Sequence, residues 1–149
     1  MSVAPAGEVA HAGLRGAIAS MAMTGMRHFT VRVGIVKETP PDAILRRRAS
    51  GLLKQVPEER RRAAIELAHW AYGAGGGVAF RLLPEGVRLR AWAGPLYGLV
   101  VWLGFELGIA PALGLPQADK PRPVERAGLA ADHLLYGLVL SETRARPRE

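Results

Sequence analysis

The chain has 149 residues, enough for one domain, and 49% of them are hydrophobic. It contains no cysteine, which excludes disulfides, thiol catalysis and zinc–thiolate sites. The formal net charge is +7, but the arginines flank apolar blocks and do not form one patch with interleaved aromatic residues. This distribution favours contact with a membrane surface over nucleic-acid binding.

Apolar and small residues collect in four blocks, and charged residues lie between the blocks. The first block, residues 12–29, predicts a helix in which Gly16, Ser20 and Thr24 lie along one face. A polar connection follows, and its residues 42–55 predict a basic amphipathic segment. Such a segment suits either the lipid headgroup layer or a solvated surface.

The second block, residues 58–83, follows Pro57 and begins with two glutamates, which is typical of a helix start. Glycines near its centre would each weaken a helix in water by about 1 kcal/mol. In lipid such a helix is stable despite its glycines, because unfolding it would leave backbone N–H and C=O groups unpaired, at a higher free-energy cost. Gly73 and Gly77 form a GxxxG pair, which is typical of close packing between membrane helices.

The third block, residues 91–115, is the most apolar and contains one charged residue, Glu106. At about 1.5 Å per residue, a helix of this length spans the hydrocarbon core of a bilayer, which is roughly 30 Å thick. The block therefore predicts a transmembrane helix. It contains two further GxxxG pairs, Gly94 with Gly98 and Gly104 with Gly108.

The fourth block, residues 124–143, shares a pattern with the second block. Each contains a histidine, then a tyrosine and a glycine at the same spacing, and chance similarity is the alternative explanation. We expect two helical hairpins, blocks one–two and three–four, related as a parallel internal repeat. The chain is thus predicted to be a single all-α domain, residues 1–149, folded as a four-helix transmembrane bundle. The shared residues are His69, Tyr72 and Gly73 in one block and His133, Tyr136 and Gly137 in the other.

Ionisable and aromatic residues within the blocks are the candidate functional residues. A charged carboxylate in lipid is unfavourable in free energy. Each acidic residue within a block should therefore face the bundle interior, be protonated or lie near a helix end. Two histidines on different helices can bind haem iron or hydrogen-bond a quinone, although hydrogen bonds between helices are the more common role of such residues. No spacing indicates a catalytic residue. The polar-core candidates are His69, Tyr72, Glu106, Asp132, His133 and Tyr136, with His69 and His133 as the candidate haem ligands.

Two local features carry a resemblance to a known family. The sequence Thr39-Pro-Pro follows the first block, and the final helix contains His133 and ends in Ser141-Glu142. In these features the chain resembles the small uncharacterised YagU-like inner-membrane proteins of bacteria. The resemblance implies a multi-pass protein of the bacterial cytoplasmic (inner) membrane and no established chemistry.

Three functions are consistent with these patterns. The first is a membrane scaffold or accessory subunit that packs through glycine-rich faces, as a homo-oligomer or in a larger membrane complex. The second is a polar core that handles protons, a small solute, quinone or haem through His69 and His133. The third is a soluble four-helix bundle, which the short first and last blocks permit. The expected partner is the lipid bilayer, no nucleic acid is expected, and a non-enzymatic role is favoured.

Overall fold

The computed structural model describes residues 6–36, 54–112 and 122–142, together with the single positions 44, 51 and 114. These residues form helices and turns, and no β-strand occurs among them. The prediction of an all-α chain is confirmed. The predicted amphipathic segment 42–55 lies largely outside the described residues. The helices are α1 (Ala6–Arg32), α2 (Glu58–Arg81), α3 (Glu85–Arg88), α4 (Ala93–Ala112) and α5 (Pro123–Glu142).

Each long helix falls on one of the four predicted blocks, and prolines mark several of the helix ends. Pro57 immediately precedes α2, where a missing N–H group costs nothing. Within α4, residues 105–109 form a wider π-helical turn just before Pro111. A proline ring clashes with the carbonyl one turn earlier, so the wider turn is consistent with the position of Pro111. α4 therefore continues past the turn and ends at Ala112.

The long helices pair as two hairpins, and the hairpins join through their inner helices. α1 packs against α2, α4 packs against α5, and α1 also packs along α5. Within the described residues, α2 and α4 share no comparable interface. They meet at Tyr97 of α4, whose hydroxyl donates to the carbonyl of Gly76 at 2.8 Å, and whose ring lies edge-on to Phe80. In the part of the chain that the structure describes, the bundle is thus closed on one side and open between α2 and α4.

Glycines allow the two helices of each hairpin to touch at their backbones. In the first hairpin, a Cβ added to Gly16 would lie 2.8 Å from the Cα of Gly77. In the second hairpin, a Cβ added to Gly137 would lie 2.6 Å from the carbonyl carbon of Gly94. Interiors pack without such overlaps, so these positions have no room for a side chain. The close approach therefore depends on glycine.

Large apolar side chains lie on the outside of this bundle. Of the described helices, only α4 is long and apolar enough to cross a membrane by length and composition. Only 28% of that apolar stretch is buried, whereas the core helix of a soluble protein is mostly buried. The structure thus contains one candidate span where the sequence predicts four. Exposed apolar residues include Leu14, Ile18, Met21 and Phe29 on α1, and Leu96, Val100, Leu103 and Leu107 on α4.

Replacement of Gly16 tests the backbone contact of the first hairpin. Gly16→Ala is expected to lower the free energy of unfolding by about 1–3 kcal/mol, because the methyl group must push α2 away. Gly25 lies on the same helix, and a methyl group added there would have nothing within 4 Å. Gly25→Ala should therefore leave stability unchanged or raise it by about 1 kcal/mol. Denaturation followed by circular dichroism measures both, and equal effects would contradict the contact.

Candidate functional site

Four ionisable side chains from three helices meet inside the bundle, and we refer to them as the polar cluster. Arg27 lies on α1, His69 on α2, and Asp132 and His133 on α5. Arg27 is only 5% exposed and Asp132 only 1% exposed. Nη2 of Arg27 donates a hydrogen bond to Nε2 of His69 at 2.9 Å. The cluster thus brings side chains of the two hairpins within electrostatic range of one another.

Hydrogen bonding fixes which ring nitrogen of each histidine carries the hydrogen. A guanidinium group only donates, so Nε2 of His69 accepts from Arg27 and Nδ1 carries the hydrogen. That Nδ1 is buried and has no hydrogen-bond partner in the described part of the chain. In His133, Nδ1 lies 2.8 Å from the carbonyl oxygen of Leu129 and must donate to it. Nε2 of neutral His133 is left as an acceptor with no partner among the described residues.

Asp132 is the most unusual member of the polar cluster. Both of its carboxylate oxygens are buried, and neither has a hydrogen-bond partner among the described residues. Burial of an unpaired carboxylate costs several kcal/mol, so such groups need a compensating charge. Arg27 lies within electrostatic range of Asp132 and supplies that charge. The two residues are therefore expected to depend on each other.

The polar cluster borders an open cleft between α2 and α4. The cleft comprises two adjoining cavities of about 380 Å³ and 280 Å³. Met23, His69, Tyr72 and His133 line both cavities. Arg27 and Asp132 line the smaller one, together with mostly apolar side chains. The cleft exists because α2 and α4 are not packed against each other, while α1 and α5 close its inner side.

Two tyrosines connect the walls of the cleft. The hydroxyl of Tyr136 on α5 donates to the carbonyl of Gly73 on α2 at 2.8 Å. Tyr97 on α4 makes the matching bond to Gly76, also at 2.8 Å. A glycine has no side chain, so a phenol ring can reach its carbonyl, which has a second lone pair free. These bonds hold α2 at a fixed distance from the second hairpin.

A second group of polar contacts lies on the other side of His69, between α1 and α2. Thr24 donates to Oε2 of Glu66 at 2.9 Å and accepts from the indole nitrogen of Trp70 at 3.1 Å. Nε2 of His28 lies 3.7 Å from Oε1 of the same glutamate. This group pairs a carboxylate with donors on the facing helix and does not line the cleft cavities. We interpret it as a structural contact.

The structure brings some of the predicted polar residues together and separates others. His69, Asp132, His133 and Tyr136 are buried or half-buried at the cleft, and Tyr72 lies at its exposed edge. Glu106 is buried elsewhere, with Oε1 at 2.8 Å from Nε of Arg126 on α5. It does not line either cavity. The predicted polar core therefore divides into a cleft group and a separate ion pair.

The predicted packing glycines divide in a similar way. Gly73, Gly77, Gly94 and Gly98 face the backbone of the neighbouring helix within their hairpins. The other pair in α4 is exposed, and no atom lies within 4 Å of a Cβ placed at either glycine. That pair is therefore free to meet something other than the described residues of this chain. It consists of Gly104 and Gly108.

Arg27 is the site residue that the sequence analysis missed. At the sequence level it is one of two charges that bracket the first block. A signal was present, because Arg27 lies four residues after Met23 and seven after Ser20, and so falls on the small-residue face of α1. The face that binds α2 and α5 thus continues through a charged residue.

A haem between the two histidines would need one free ring nitrogen on each. In His69 the nitrogen without a partner, Nδ1, carries the hydrogen, and the unprotonated Nε2 already accepts from Arg27. The geometry therefore favours a ligand that hydrogen-bonds to the histidines over one that they coordinate.

No protein family, curated protein or solved structure matches the chain in the comparisons. The resemblance to YagU-like proteins stays a prediction that rests on the Thr39-Pro-Pro element and the final helix. The cleft is accordingly interpreted from its own geometry.

Removal of Arg27 tests its role as the compensating charge for Asp132. Arg27→Met should lower the free energy of unfolding by about 3 kcal/mol, because it leaves a buried carboxylate without a counter-charge. The double variant Arg27→Met/Asp132→Leu should recover most of that loss, since apolar replacement of both members of a buried pair is close to neutral. A double-mutant cycle in detergent measures the coupling. Simple addition of the two single effects would show that the residues are independent.

Proposed function

We propose that the chain is a multi-pass membrane protein that holds a small, largely apolar molecule in the cleft between α2 and α4. One observation carries the proposal: large apolar side chains lie outside the bundle, and a polar cluster lies inside it beside an open cleft. Such an arrangement is the reverse of a soluble protein. It is the expected one where the surrounding solvent is lipid.

The outer surface supports a membrane location. α4 is apolar along its length, and residues such as Val100 (56% exposed) and Leu107 (69% exposed) face outward. Exposed apolar surface of this extent on a soluble monomer would be covered by a partner. Arginines lie near the ends of α1 and α2, where lipid headgroups would be reached. We extend this to four spans and, following the family resemblance, to the bacterial cytoplasmic membrane.

The glycine contacts support the predicted internal repeat. Gly73 packs against Gly16 and Ser20 of its hairpin, as Gly137 packs against Gly94 of the other. His69 precedes Gly73, and His133 precedes Gly137, by the same number of residues. A parallel repeat would make the α1–α5 contact equivalent to an α2–α4 contact. The cleft then lies between α2 and α4, where the contact equivalent to α1–α5 is not formed.

The lining of the cleft supports a ligand with an apolar body. Ligand sites are concave, mainly apolar and contain a few polar groups that fix orientation. Here apolar residues such as Met23, Phe105 and Leu129 surround the polar cluster. Buried polar atoms without a hydrogen-bond partner among the described residues occur at this lining, on His69 and Asp132. A small apolar molecule with a polar group, such as a quinone, matches this lining.

A pair of single-cysteine variants tests the membrane location and the cleft together, because the natural chain contains no cysteine. Val101 lines the larger cavity, whereas the neighbouring Val100 is exposed on the outer face of α4. In native membranes, Val101→Cys should react with a charged, water-soluble thiol reagent at least tenfold faster than Val100→Cys. The reason is that the cleft admits water and the acyl chains do not.

The reverse order of rates would overturn the proposal. In a soluble bundle the exposed Val100→Cys would react faster than the cleft cysteine. Measuring both variants after unfolding in detergent gives their intrinsic reactivities, so each rate can be normalised to its own unfolded value.

A scaffold that packs through glycine faces is the second candidate, and the exposed pair Gly104 and Gly108 favours it. An uncovered GxxxG pair on an apolar helix suits a second helix at backbone distance. We propose a second copy of the chain as that partner. Gly104→Leu should then shift the protein from dimer to monomer in chemical crosslinking. Gly86→Leu, on the short helix α3 with open space around it, is the control and should leave the dimer intact.

A further inference from the structure

We infer that the molecule in the cleft carries a phenol-type hydroxyl group on its apolar body. This inference rests on the proposed function, because it needs a ligand in the cleft. It goes further by specifying the polarity of that ligand from the hydrogen-bonding state of the residues that line the cavities.

Three residues that line the larger cavity offer acceptors to a ligand, whereas Tyr72 at its exposed edge carries a hydroxyl donor. Tyr97 and Tyr136 donate their hydroxyl hydrogens to the carbonyls of Gly76 and Gly73. Only the lone pairs of these hydroxyl oxygens remain available to a ligand. His133 donates its Nδ1 hydrogen to the carbonyl oxygen of Leu129, which leaves Nε2 as an acceptor. A ligand must therefore bring a hydrogen-bond donor to the larger cavity.

The smaller cavity adds two acceptor atoms, and its donors lie on Arg27, His69 and Tyr72. Asp132 lines it with two carboxylate oxygens that have no hydrogen-bond partner among the described residues, and its side chain is almost wholly buried. His69 contributes an Nδ1 hydrogen that also has no partner there. Since His69 and His133 line both cavities, the unfilled donor and the unfilled acceptors lie along one cleft.

A hydroxyl group fits these atoms better than other polar groups. It donates and accepts at one oxygen, so it can pair with Nε2 of His133 and still accept from His69. An ether or a ketone only accepts and would leave His133 unpaired. An ammonium group only donates and would leave the Nδ1 hydrogen of His69 unpaired, and a carboxylate would bring a second negative charge close to Asp132.

An aromatic body suits the walls of the cleft. The rings of Tyr72, Tyr97 and Tyr136 line the larger cavity, and flat aromatic molecules pack well against such rings. The hydroxyl of a phenol also donates more readily than that of an alkyl alcohol, because its oxygen is more acidic. A phenol or a quinol therefore combines the required shape with the required donor.

Histidine NMR tests the inference directly, because the chain has only four histidines. The full-length protein, labelled with ¹⁵N-histidine in lipid nanodiscs, is titrated with 1-naphthol and, separately, with 1-methoxynaphthalene. The two probes share a ring system, and only the first has a hydrogen to donate. We expect 1-naphthol to shift the Nε2 signal of His133 saturably and with at least tenfold higher affinity than the ether.

The remaining histidines provide internal controls. His11 and His28 are exposed on α1, outside the cleft cavities, and their signals should not shift. Equal shifts at these two residues would mean that the probe only partitions into the nanodisc, and would overturn the inference. His133→Phe should abolish the preference for 1-naphthol, and the matched variant His28→Gln should retain it.

The outcomes separate this inference from the proposed function. If both probes shift His133 with equal affinity, the cleft binds apolar molecules and the hydroxyl requirement is wrong. If neither probe shifts the NMR signals of His69 or His133, the proposal that the cleft binds a ligand is wrong as well. The comparison of two probes on the natural chain needs no variant, so a His133→Phe protein that fails to fold leaves the test intact.

Discussion

Close contact between helix backbones at glycine is the constraint on which the rest of this structure depends. Where Gly16 meets Gly77 and Gly94 meets Gly137, the helices are too close for side chains to lie between them. Large apolar side chains are therefore turned outward, and the bundle has a small apolar core. Each hairpin is stabilised mainly by van der Waals contacts between the two helix backbones, and less by packing of large side chains such as leucine.

The outward-facing apolar side chains and the buried polar cluster are the basis of the proposed membrane location. Exposed apolar surface is costly in water, at roughly 25 cal/mol per Å², but costs nothing among acyl chains. Polar groups behave in the opposite way, and the polar cluster of Arg27 and Asp132 accordingly lies inside the bundle. The same geometry leaves the α2–α4 side unpacked, because α1 and α5 already occupy each other's inner faces. The cleft and its histidines follow from that asymmetry.

The sequence predicted an all-α chain, and the structure brings some of the predicted polar residues together and separates others. Composition and helix-start signals located α2 and α4, whereas α1 begins earlier than its apolar block because charged residues such as Glu8 continue the helix. The repeated histidines His69 and His133 both line the cleft. A GxxxG spacing does not specify which neighbour covers it, so the sequence could not separate Gly104 from Gly73. Likewise, a lone acid in an apolar block does not reveal its partner, which for Glu106 is Arg126.

The central claim is that acyl chains surround the outer faces of α1 and α4. Carbonate washing of native membranes tests it most directly, because alkaline carbonate releases proteins that are held at the surface and retains those that cross the bilayer. The 149-residue chain is expected to stay in the membrane pellet and to be released only by detergent. Recovery of a folded monomer in the detergent-free supernatant would contradict it.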